Sequence, residues 1–477
     1  MTPAARTVSR GIAWTGVASL ALGVFDVAAT LLLLRCWLSP TEYGVAAVAT
    51  TLFPMLDLVA DAGFAAAVVQ RADSTDDTLS SAFWASLAIS VAVAIGLLAL
   101  GPLLGWIQGH AVIGGLLAGY GVKLVLQNAF FIPNALLRRD LRFGAIAGIR
   151  TSAGAAELAG KLIAAAAGLG VWCFLVGQLA KTVVQAVATQ LCRPFRPRLR
   201  FRRAEAAAYF RFGSRTSASQ VLFHLYTNAD YQIVGYVFGA AATGLYRAAY
   251  ELVLEPAKLL SYVIVEVAFP VFSRLRDDLG AARDQLLAFT RQNLLVLIPV
   301  LSVLAVAPAE LLELFFGARW RPAADAVRLL CVVGGLRALS FLLPPLLDGL
   351  GRADLTLRYT VAAAIVVPAT QVAAALALGD ALGWRAVALA WAVAYPVAFA
   401  ALLVMALAQV RLPIATYVRA AGRLLGCGAI GLAGGAIAAR ALPWQAAAPR
   451  LVVLAAIVLA LDAAALVITR RRAPPRS

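Results

Sequence analysis

The sequence predicts an all-α polytopic membrane protein with about 14 transmembrane helices. Hydrophobic residues make up 62% of the 477 residues and charged residues 14%, with a mean hydropathy of +0.85. Soluble domains are typically about half apolar and about a quarter charged. The apolar stretches are also long and continuous, whereas the strands of a membrane β-barrel are short segments of alternating hydrophobicity. A bundle of spanning helices is therefore the predicted fold class.

The spans are predicted from apolar segments of roughly 20 residues or more, the length at which a helix crosses a bilayer. The first segment follows Arg6 and Arg10 and is too long for the core of a signal peptide, so we expect it to remain in the membrane. In order, the predicted spans are 11–34, 43–69, 80–104, 111–137, 143–167, 169–191, 213–238, 243–272, 288–308, 324–347, 355–378, 384–408, 419–440 and 449–469.

Arginine residues are concentrated on one side of this topology. They cluster at the N-terminus and at 138–142, 193–215, 274–291 and 470–476. Because basic residues in short loops remain in the cytoplasm, the pattern predicts that both termini are cytoplasmic and that the number of spans is even. It also explains most of the net charge of +17.

The most basic loop reads RPFRPRLRFRR, at 193–203. Basic residues interleaved with aromatic ones are found in proteins that bind RNA or DNA. A cytoplasmic loop of this composition also lies against anionic lipid headgroups. We favour membrane lipids as its partner and expect no nucleic acid.

Two parts of the chain resemble each other across this loop. Gly44 and Gly244 each follow a similar entry into a span and stand 200 positions apart, and Gly-Val-Trp at 170–172 corresponds to Gly-Trp at 383–384. A repeat with an even number of spans enters and leaves on the same side, so its two copies are related by a pseudo-twofold axis along the membrane normal. The predicted domains are a six-helix bundle at 1–191, a basic cytoplasmic linker at 192–212, a second six-helix bundle at 213–408, and two extra helices with a basic tail at 409–477.

Five charged residues share one face of the predicted span 243–272. On a helix, Arg247, Glu251, Glu255, Lys258 and Glu266 fall within an arc of roughly 100°. Intramembrane charges face a protein interior or a watery cavity rather than lipid. The face therefore either lines a polar cavity or forms internal ion pairs, since Arg247 and Glu251 stand at i, i+4.

Other spans carry isolated polar groups. In repeat transporters the substrate lies between the repeats, so Asp26, Asp230 and Arg337 join Arg247, Glu251, Glu255 and Lys258 as candidate substrate-binding residues. The cations suit a pyrophosphate, and the carboxylates suit a coupling cation or proton. We interpret Asp61 as structural, and the pair at 157 and 161 fits an inert ion pair as well as a functional one.

The sequence carries no motif of an enzyme or a nucleotide-driven pump. It lacks GxxxxGK[ST], GxSxG and HExxH. Two histidines and five cysteines without a CxxC pair suggest neither a metal site nor a disulfide framework. We therefore expect no cofactor and no catalytic residues, and the source of energy stays open between a proton, sodium and the membrane potential.

Several stretches, taken in order along the chain, form a recognisable pattern. They are LSPTEYG (38–44), LVADAGFAAAVVQR (58–71), SSAFW (80–84), FGAIAGIR (143–150), GLGVWCFLVGQL (168–179), NADYQIVGYVFGAAATGLYRAAY (228–250) and AFPVFSRL (268–275). Together they are similar to the polysaccharide-transporter family, the Wzx-type oligosaccharide flippases, and within it to the branch of colanic-acid and teichuronic-acid exporters. Phe64 is a minor departure, because the family more often has Leu there.

The resemblance implies two six-helix bundles of the MATE-like superfamily in the bacterial cytoplasmic membrane. It implies that the chain moves a polyprenyl-pyrophosphate-linked oligosaccharide outward by alternating access, for the synthesis of exopolysaccharide or lipopolysaccharide. Its partners would be that lipid-linked oligosaccharide, membrane lipids and the polysaccharide polymerase machinery. The family has no short site motif, so the candidate residues rest on their chemistry.

Two other functions stay open from the sequence. A membrane-embedded polymerase or ligase needs acidic, Arg or His residues on a sizeable outer loop, and the longest predicted one, near 309–323, has few of them. A cation-coupled multidrug exporter would have the same fold.

We expect Arg247→Ala to abolish polymer export, because it removes a cation predicted to contact the pyrophosphate. Export is measured as surface polymer, with the protein level followed on a blot. Wild-type export from this variant would remove Arg247 from the site.

Overall fold

The computed structural model describes residues 23, 25–70, 75–442 and 446–471, so part of the predicted first span lies outside it. These ranges are helical and contain no strand. The helices are α1 (25–36), α2 (Pro40–Thr50), α3 (Phe53–Asp61), α4 (Phe64–Gln70), α5 (Asp76–Ile107), α6 (Ala111–Leu126), α7 (Asn128–Arg139), α8 (Phe143–Ala166), α9 (Trp172–Cys192), α10 (Arg203–Arg274), α11 (Leu279–Val306), α12 (Pro308–Phe315), α13 (Ala324–Ser340), α14 (Leu343–Gly349), α15 (Ala353–Leu382), α16 (Arg385–Gln409), α17 (Ile414–Ala441) and α18 (Ala447–Arg471), with a 3₁₀ turn at Ala318–Ala323.

The prediction of an all-helical membrane protein is confirmed for the described residues. Within the described ranges, 8 helices are long and apolar enough to cross a membrane. The number becomes 9 if α6 and α7, which meet at an angle of 49°, form one broken span. The finer count of about 14 spans stays a prediction.

The chain divides into two compact units, Met1–Gly244 and Leu245–Ser477. In the first unit, α5 packs on α6 and α8 packs on α9. In the second unit, α11 packs on α13 and α17, and α16 packs on α13 and α15. The largest buried side chains of the second unit include Trp320 and Trp391.

The start of α2 shows how the local sequence determines a helix end. Ser39 accepts a hydrogen bond from the backbone N–H of Glu42 at 3.2 Å, and the Glu42 carboxylate accepts one from the backbone N–H of Ser39 at 2.9 Å. Pro40 occupies the first turn, where no backbone donor is needed. The motif SPTE is therefore a capping box that begins the helix.

The long helix α10 contains one break, at Gly239. Its φ of 82° lies in the left-handed region that glycine adopts without strain. The predicted spans 213–238 and 243–272 are thus joined by this single kink rather than by a loop.

The part of α10 that follows Gly239 crosses α2 at very close range. A methyl group on Gly44 would overlap the carbonyl of Ala240, and a methyl group on Gly244 would overlap the carbonyl of Pro40. The contact is reciprocal, because positions 40 and 44 meet positions 240 and 244. Small residues permit such an approach of two helix backbones.

The basic linker lies on the beginning of α5, and we name residues 195–202 the linker strap. The backbone N–H groups of Arg198 and Arg202 donate to the hydroxyls of Ser80 and Ser81, each at 3.0 Å. The guanidinium groups of Arg198 and Arg200 bind Asp77 at 3.2 and 2.9 Å. The strap therefore has protein partners, which the basic composition of the loop did not indicate.

We expect Gly44→Ala to destabilise the protein by about 1–3 kcal/mol, because its methyl group has no room beside α10. Gly96→Ala is the control, since nothing lies within 4 Å of a methyl group there and alanine is the better helix former by about 1 kcal/mol. The free energy of unfolding is measured in mixed micelles. Equal stability of the two variants would contradict the tight crossing.

Candidate functional site

Two adjoining cavities lie within the first unit. One has a volume of ≈ 470 Å³ and is lined by residues of α3, α5, α6, α7 and α9, with Ala65 of α4. The other has a volume of ≈ 420 Å³ and is lined by residues of α1, α8 and α9, with Gly23. Lys181 and Gln185 of α9 line both cavities, so α9 separates them with a polar face.

The first cavity contains an ion pair between α3 and α6. The ammonium group of Lys123 lies 2.5 Å from the carboxylate of Asp57 and also donates to Gln127 at 3.0 Å. The hydroxyl of Tyr120 donates to Asp57 at 2.9 Å, and the Tyr120 ring stacks on Phe53 with centroids 3.6 Å apart. Asp57 is thereby fixed by two donors from one face of α6.

The second cavity is bordered by a chain of alternating charges. Lys161 of α8 lies 2.9 Å from both Asp26 of α1 and Glu157 of α8. Glu157 in turn accepts from Lys181 and Gln178 of α9, each at 2.8 Å. Gly177 makes room for Lys161, because a methyl group there would meet its side chain. The network joins three helices.

The inner and outer members of this chain of charges differ in exposure. The side chain of Lys161 is 9% exposed and that of Glu157 is 12% exposed, whereas Asp26 is 61% exposed and Lys181 is 40% exposed. A buried ion must be paired, because its desolvation is costly. The inner pair, Lys161 and Glu157, therefore holds the helices together. The outer residues, Asp26 and Lys181, present charge to the cavities.

The donors that line the first cavity favour recognition of an anion beside fixed carboxylates. Lys181 and Arg138 line the first cavity together with the amides of Gln178 and Gln185. Ammonium, guanidinium and amide groups donate hydrogen bonds to phosphate oxygens. Among the described residues, no three His, Cys, Asp or Glu side chains gather as a metal site.

A buried polar group at the wall of the first cavity joins α5 and α7. The Asn128 side chain accepts from Ser86 at 2.9 Å and donates to Ser90 at 2.9 Å. Asn128 is 2% exposed, and both serines are buried. This group satisfies its own polar atoms, so we assign it to helix packing.

Two of the predicted site residues lie in the first unit. Asp26 belongs to the charged chain described above. Asp230 is fully buried, and its carboxylate accepts a hydrogen bond from the backbone N–H of Tyr231 at 3.0 Å. Asp230 lines neither of the two cavities described.

The charged face of α10 lies in the second unit. Arg247 and Glu251 form an ion pair at 2.9 Å, with side chains 18% and 20% exposed. Glu255 and Lys258 form a more exposed pair at 3.4 Å. The internal ion pairs of the sequence analysis are therefore present, while the side chain of Glu266 lies outside the described residues. Whether these groups contact substrate stays a prediction.

Arg337 is held by aromatic residues of the second unit. It donates a hydrogen bond to the hydroxyl of Tyr250, and its guanidinium lies 5.5 Å from the Trp391 ring centroid. Ser340 shares a hydrogen bond of 2.7 Å with Tyr395 beside it. Stacking on aromatic faces is a common use of arginine, and it orients the guanidinium.

The polar face of α9, which lines both cavities, was not among the predicted sites. Gln178, Lys181 and Gln185 recur at i, i+3 and i+7, which places them on one helix face. This polar stripe within an apolar span was a readable signal. The pair of Lys161 with Glu157 was readable from its i, i+4 spacing. Asp57 as the partner of Lys123 and Asp26 as the second partner of Lys161 were not, because they lie 66 and 135 positions away along the chain.

Sequence comparison places the chain among proteins of polysaccharide synthesis. The model of a family described as "Polysaccharide biosynthesis protein" matches residues 33–325. The lipopolysaccharide biosynthesis protein WzxC of Escherichia coli (strain K12) is 24% identical over 360 residues, which cover 75% of this chain and 72% of WzxC. The succinoglycan biosynthesis transport protein ExoT of Rhizobium meliloti (strain 1021) is 25% identical over 357 residues, covering 74% and 72%.

Solved structures share the fold. The lipid II flippase MurJ, in an inward closed conformation, matches with a TM-score of 0.76 and 14% identity, over 96% of this chain and 98% of MurJ. An inward-facing MATE multidrug transporter of the MOP superfamily matches with a TM-score of 0.62 and 15% identity, over 83% and 98%. The sequence matches confirm the family resemblance that the sequence stretches indicated. The structural matches confirm the MATE-like fold.

We expect Glu157→Gln to destabilise the protein by about 1–3 kcal/mol, because buried Lys161 loses a charged partner. Asp26→Asn removes the same charge from a largely exposed position and should cost less than about 1 kcal/mol. Both free energies of unfolding are measured in mixed micelles. A larger loss from the Asp26 variant would contradict the inner position of Glu157.

Proposed function

This chain belongs to the polysaccharide biosynthesis protein family, and we propose that it moves a polyprenyl-pyrophosphate-linked oligosaccharide from the cytoplasmic to the outer leaflet of the bacterial cytoplasmic membrane. The oligosaccharide would serve the synthesis of a surface polysaccharide. The names of WzxC and ExoT, a lipopolysaccharide and a succinoglycan biosynthesis protein, support the substrate class. The fold is shared with a lipid II flippase, which supports a role in transport.

The observation that carries this proposal is the pair of charged cavities inside the first unit. A lipid-linked oligosaccharide has a polar, doubly charged pyrophosphate that must leave water, and apolar helices alone give it no partners. Lys181 and Arg138 can donate to phosphate oxygens, and Gln178 and Gln185 can donate to sugar hydroxyls. The polyprenyl tail would remain in lipid, which needs no site in the protein.

The paired carboxylates have a distinct part in this proposal. Asp57 and Glu157 hold Lys123 and Lys161 in place and reduce the net positive charge around the cavities. A site with weaker net attraction releases an anion more readily, and a transporter must release what it binds. Coupling to a proton, sodium or the membrane potential would act through such carboxylates.

We further propose about 14 spans in two parallel six-span repeats plus two C-terminal helices, with both termini cytoplasmic. A helix lies at the position of each predicted span within the described ranges. The reciprocal contact of positions 40 and 44 with positions 240 and 244 supports a twofold relation, because contact of i with j and of j with i is the mark of such an axis. Contacts with a polysaccharide polymerase and with lipid are part of the same proposal.

The proposal is tested by locating the substrate in cells that lack the protein. We expect lipid-linked oligosaccharide to accumulate on the cytoplasmic leaflet, protected from a membrane-impermeant reagent that modifies sugars, with loss of surface polymer. Unpolymerised oligosaccharide on the outer leaflet would instead identify a polymerase or ligase. Normal surface polymer with increased drug sensitivity would identify a multidrug exporter.

Complementation of these cells separates the cavity residues from the rest. Lys181→Gln should lower the initial rate of polymer export about ten- to hundredfold, the effect of losing one hydrogen bond to a charged group. Arg328→Gln is the control, since Arg328 is exposed and paired with Asp325 on the surface of α13. Equal export by both variants, at equal protein level, would remove the cavity from the proposal.

A further inference from the structure

Asp462 carries a buried carboxyl group that lines neither of the two cavities. Asp462 lies near the middle of α18, in one of the helices long and apolar enough to cross a membrane. It is 1% exposed, and among the described residues neither carboxyl oxygen has a hydrogen-bond partner of good geometry. A buried unsatisfied polar group needs a physical explanation, such as an ion or a functional role.

The surroundings of Asp462 are apolar and close. Gly431 of α17 faces it directly, because a methyl group on that glycine would overlap the carboxyl group. Val458 and Leu461, on the same helix as Asp462, pack against Gly435 and Gly434 of α17. The carboxyl group therefore fills a notch in the surface of α17 that glycine creates.

One polar side chain stands near this notch. The hydroxyl of Ser302 on α11 lies beside the carboxyl group, and Ser302 is itself 2% exposed. The helices α11, α17 and α18 pack on one another here. A serine hydroxyl can donate or accept, so it suits a protonated carboxyl group as well as an ionised one.

Charged groups on the helices packed against α18 stand at other levels. They are Glu310 and Glu313 on α12, Arg283, Asp284 and Arg291 on α11, and Arg419, Arg423 and Arg440 on α17. Glu310 binds Arg450 of α18 at 3.1 Å. The thiol of Cys427 on α17 is buried. Along their helices, Arg423, Arg291 and Arg450 lie about 12 Å or more from the level of Gly431, Ser302 and Asp462, respectively. No counter-charge on these described helices shares the level of the carboxyl group.

We infer that Asp462 is a proton-binding site, which holds α18 against α17 and α11 while the proton is bound. A carboxylate without a counter-charge is strongly disfavoured in an apolar interior, and such a group takes up a proton instead. A metal cation needs several oxygen ligands around a cavity. The notch at Gly431 is filled by the carboxyl group itself, so a proton is the ligand that fits.

Loss of the proton leaves a bare charge between the three helices. That charge gains hydration only if α18 separates from α17, so deprotonation and separation are linked. The attachment of the last two helices then depends on pH, whatever the chain transports. The site adds to the proposed function and does not rest on it.

The bound proton is detected by infrared difference spectroscopy of the full chain in lipid. We expect a carbonyl band of a protonated carboxyl group that is lost in Asp462→Asn and kept in Asp380→Asn, whose carboxyl group is exposed on α15. The band should disappear as the pH rises. A band that is identical in the wild type and Asp462→Asn would overturn the inference.

The link between proton binding and helix packing is tested by measuring the free energy of unfolding as a function of pH in mixed micelles. The folded state holds the proton and the unfolded state releases it, so the wild type should lose stability as the pH rises, with an unfolding constant that grows up to about tenfold per pH unit. Asp462→Asn should lack this component, and Asp380→Asn should retain it. Superimposable pH profiles of the wild type and Asp462→Asn would overturn the inference.

A folding failure is also informative. Asparagine and leucine are neutral and close in size to a protonated aspartate, so Asp462→Asn and Asp462→Leu should both accumulate as folded protein. If both fail to fold, the site requires the charged form, and the inference is wrong.

Discussion

A charge inside a membrane protein persists only where an opposite charge, an aromatic face, a hydrogen-bond partner or a proton meets it, and this constraint organises the first unit. Lys161 is nearly enclosed, and it is tolerated because Asp26 and Glu157 both lie 2.9 Å away. Satisfying that one ammonium group brings α1, α8 and α9 together, since Glu157 also binds Lys181 and Gln178. Desolvation of a buried ion costs several kcal/mol, which is more than most packing defects cost.

The same constraint is met differently elsewhere in the chain. In the second unit the guanidinium of Arg337 lies over aromatic rings of Tyr250 and Trp391 rather than in a chain of carboxylates. Aromatic faces stabilise a cation without supplying a full negative charge. The first unit thus carries ion-paired charges at its cavity surfaces, whereas in the second unit aromatic rings orient the guanidinium of Arg337.

The fold class was predictable from the sequence because apolar length is a local property. The position of a helix at each predicted span follows from the apolar length of neighbouring residues, and the capping box at Ser39 follows from the motif SPTE. The charged chain was only half predictable. Asp26 was identified as a candidate site residue. Its partner Lys161 was not predicted, because it lies 135 positions away and the two side chains meet only through the packing of α1 against α8.

The choice between functional and structural charge was also beyond the sequence. Arg247 and Glu251 stand at i, i+4, and that spacing fits both an ion pair and a shared cavity face. The polar stripe on α9 was readable from its helical period. Its place in the candidate site was not readable, because that depends on the cavities that lie on either side of α9.

The linker strap combines two kinds of bond that respond differently to dissolved salt. Its arginine pairs with Asp77 are exposed on the arginine side, so counterions weaken them as the ionic strength rises. The backbone bonds to Ser80 and Ser81, and the bond from the Trp84 indole to the Arg198 carbonyl at 2.8 Å, are short-range and unaffected by screening. In concentrated salt the strap would keep its path along α5 while its guanidinium groups become available to other anions.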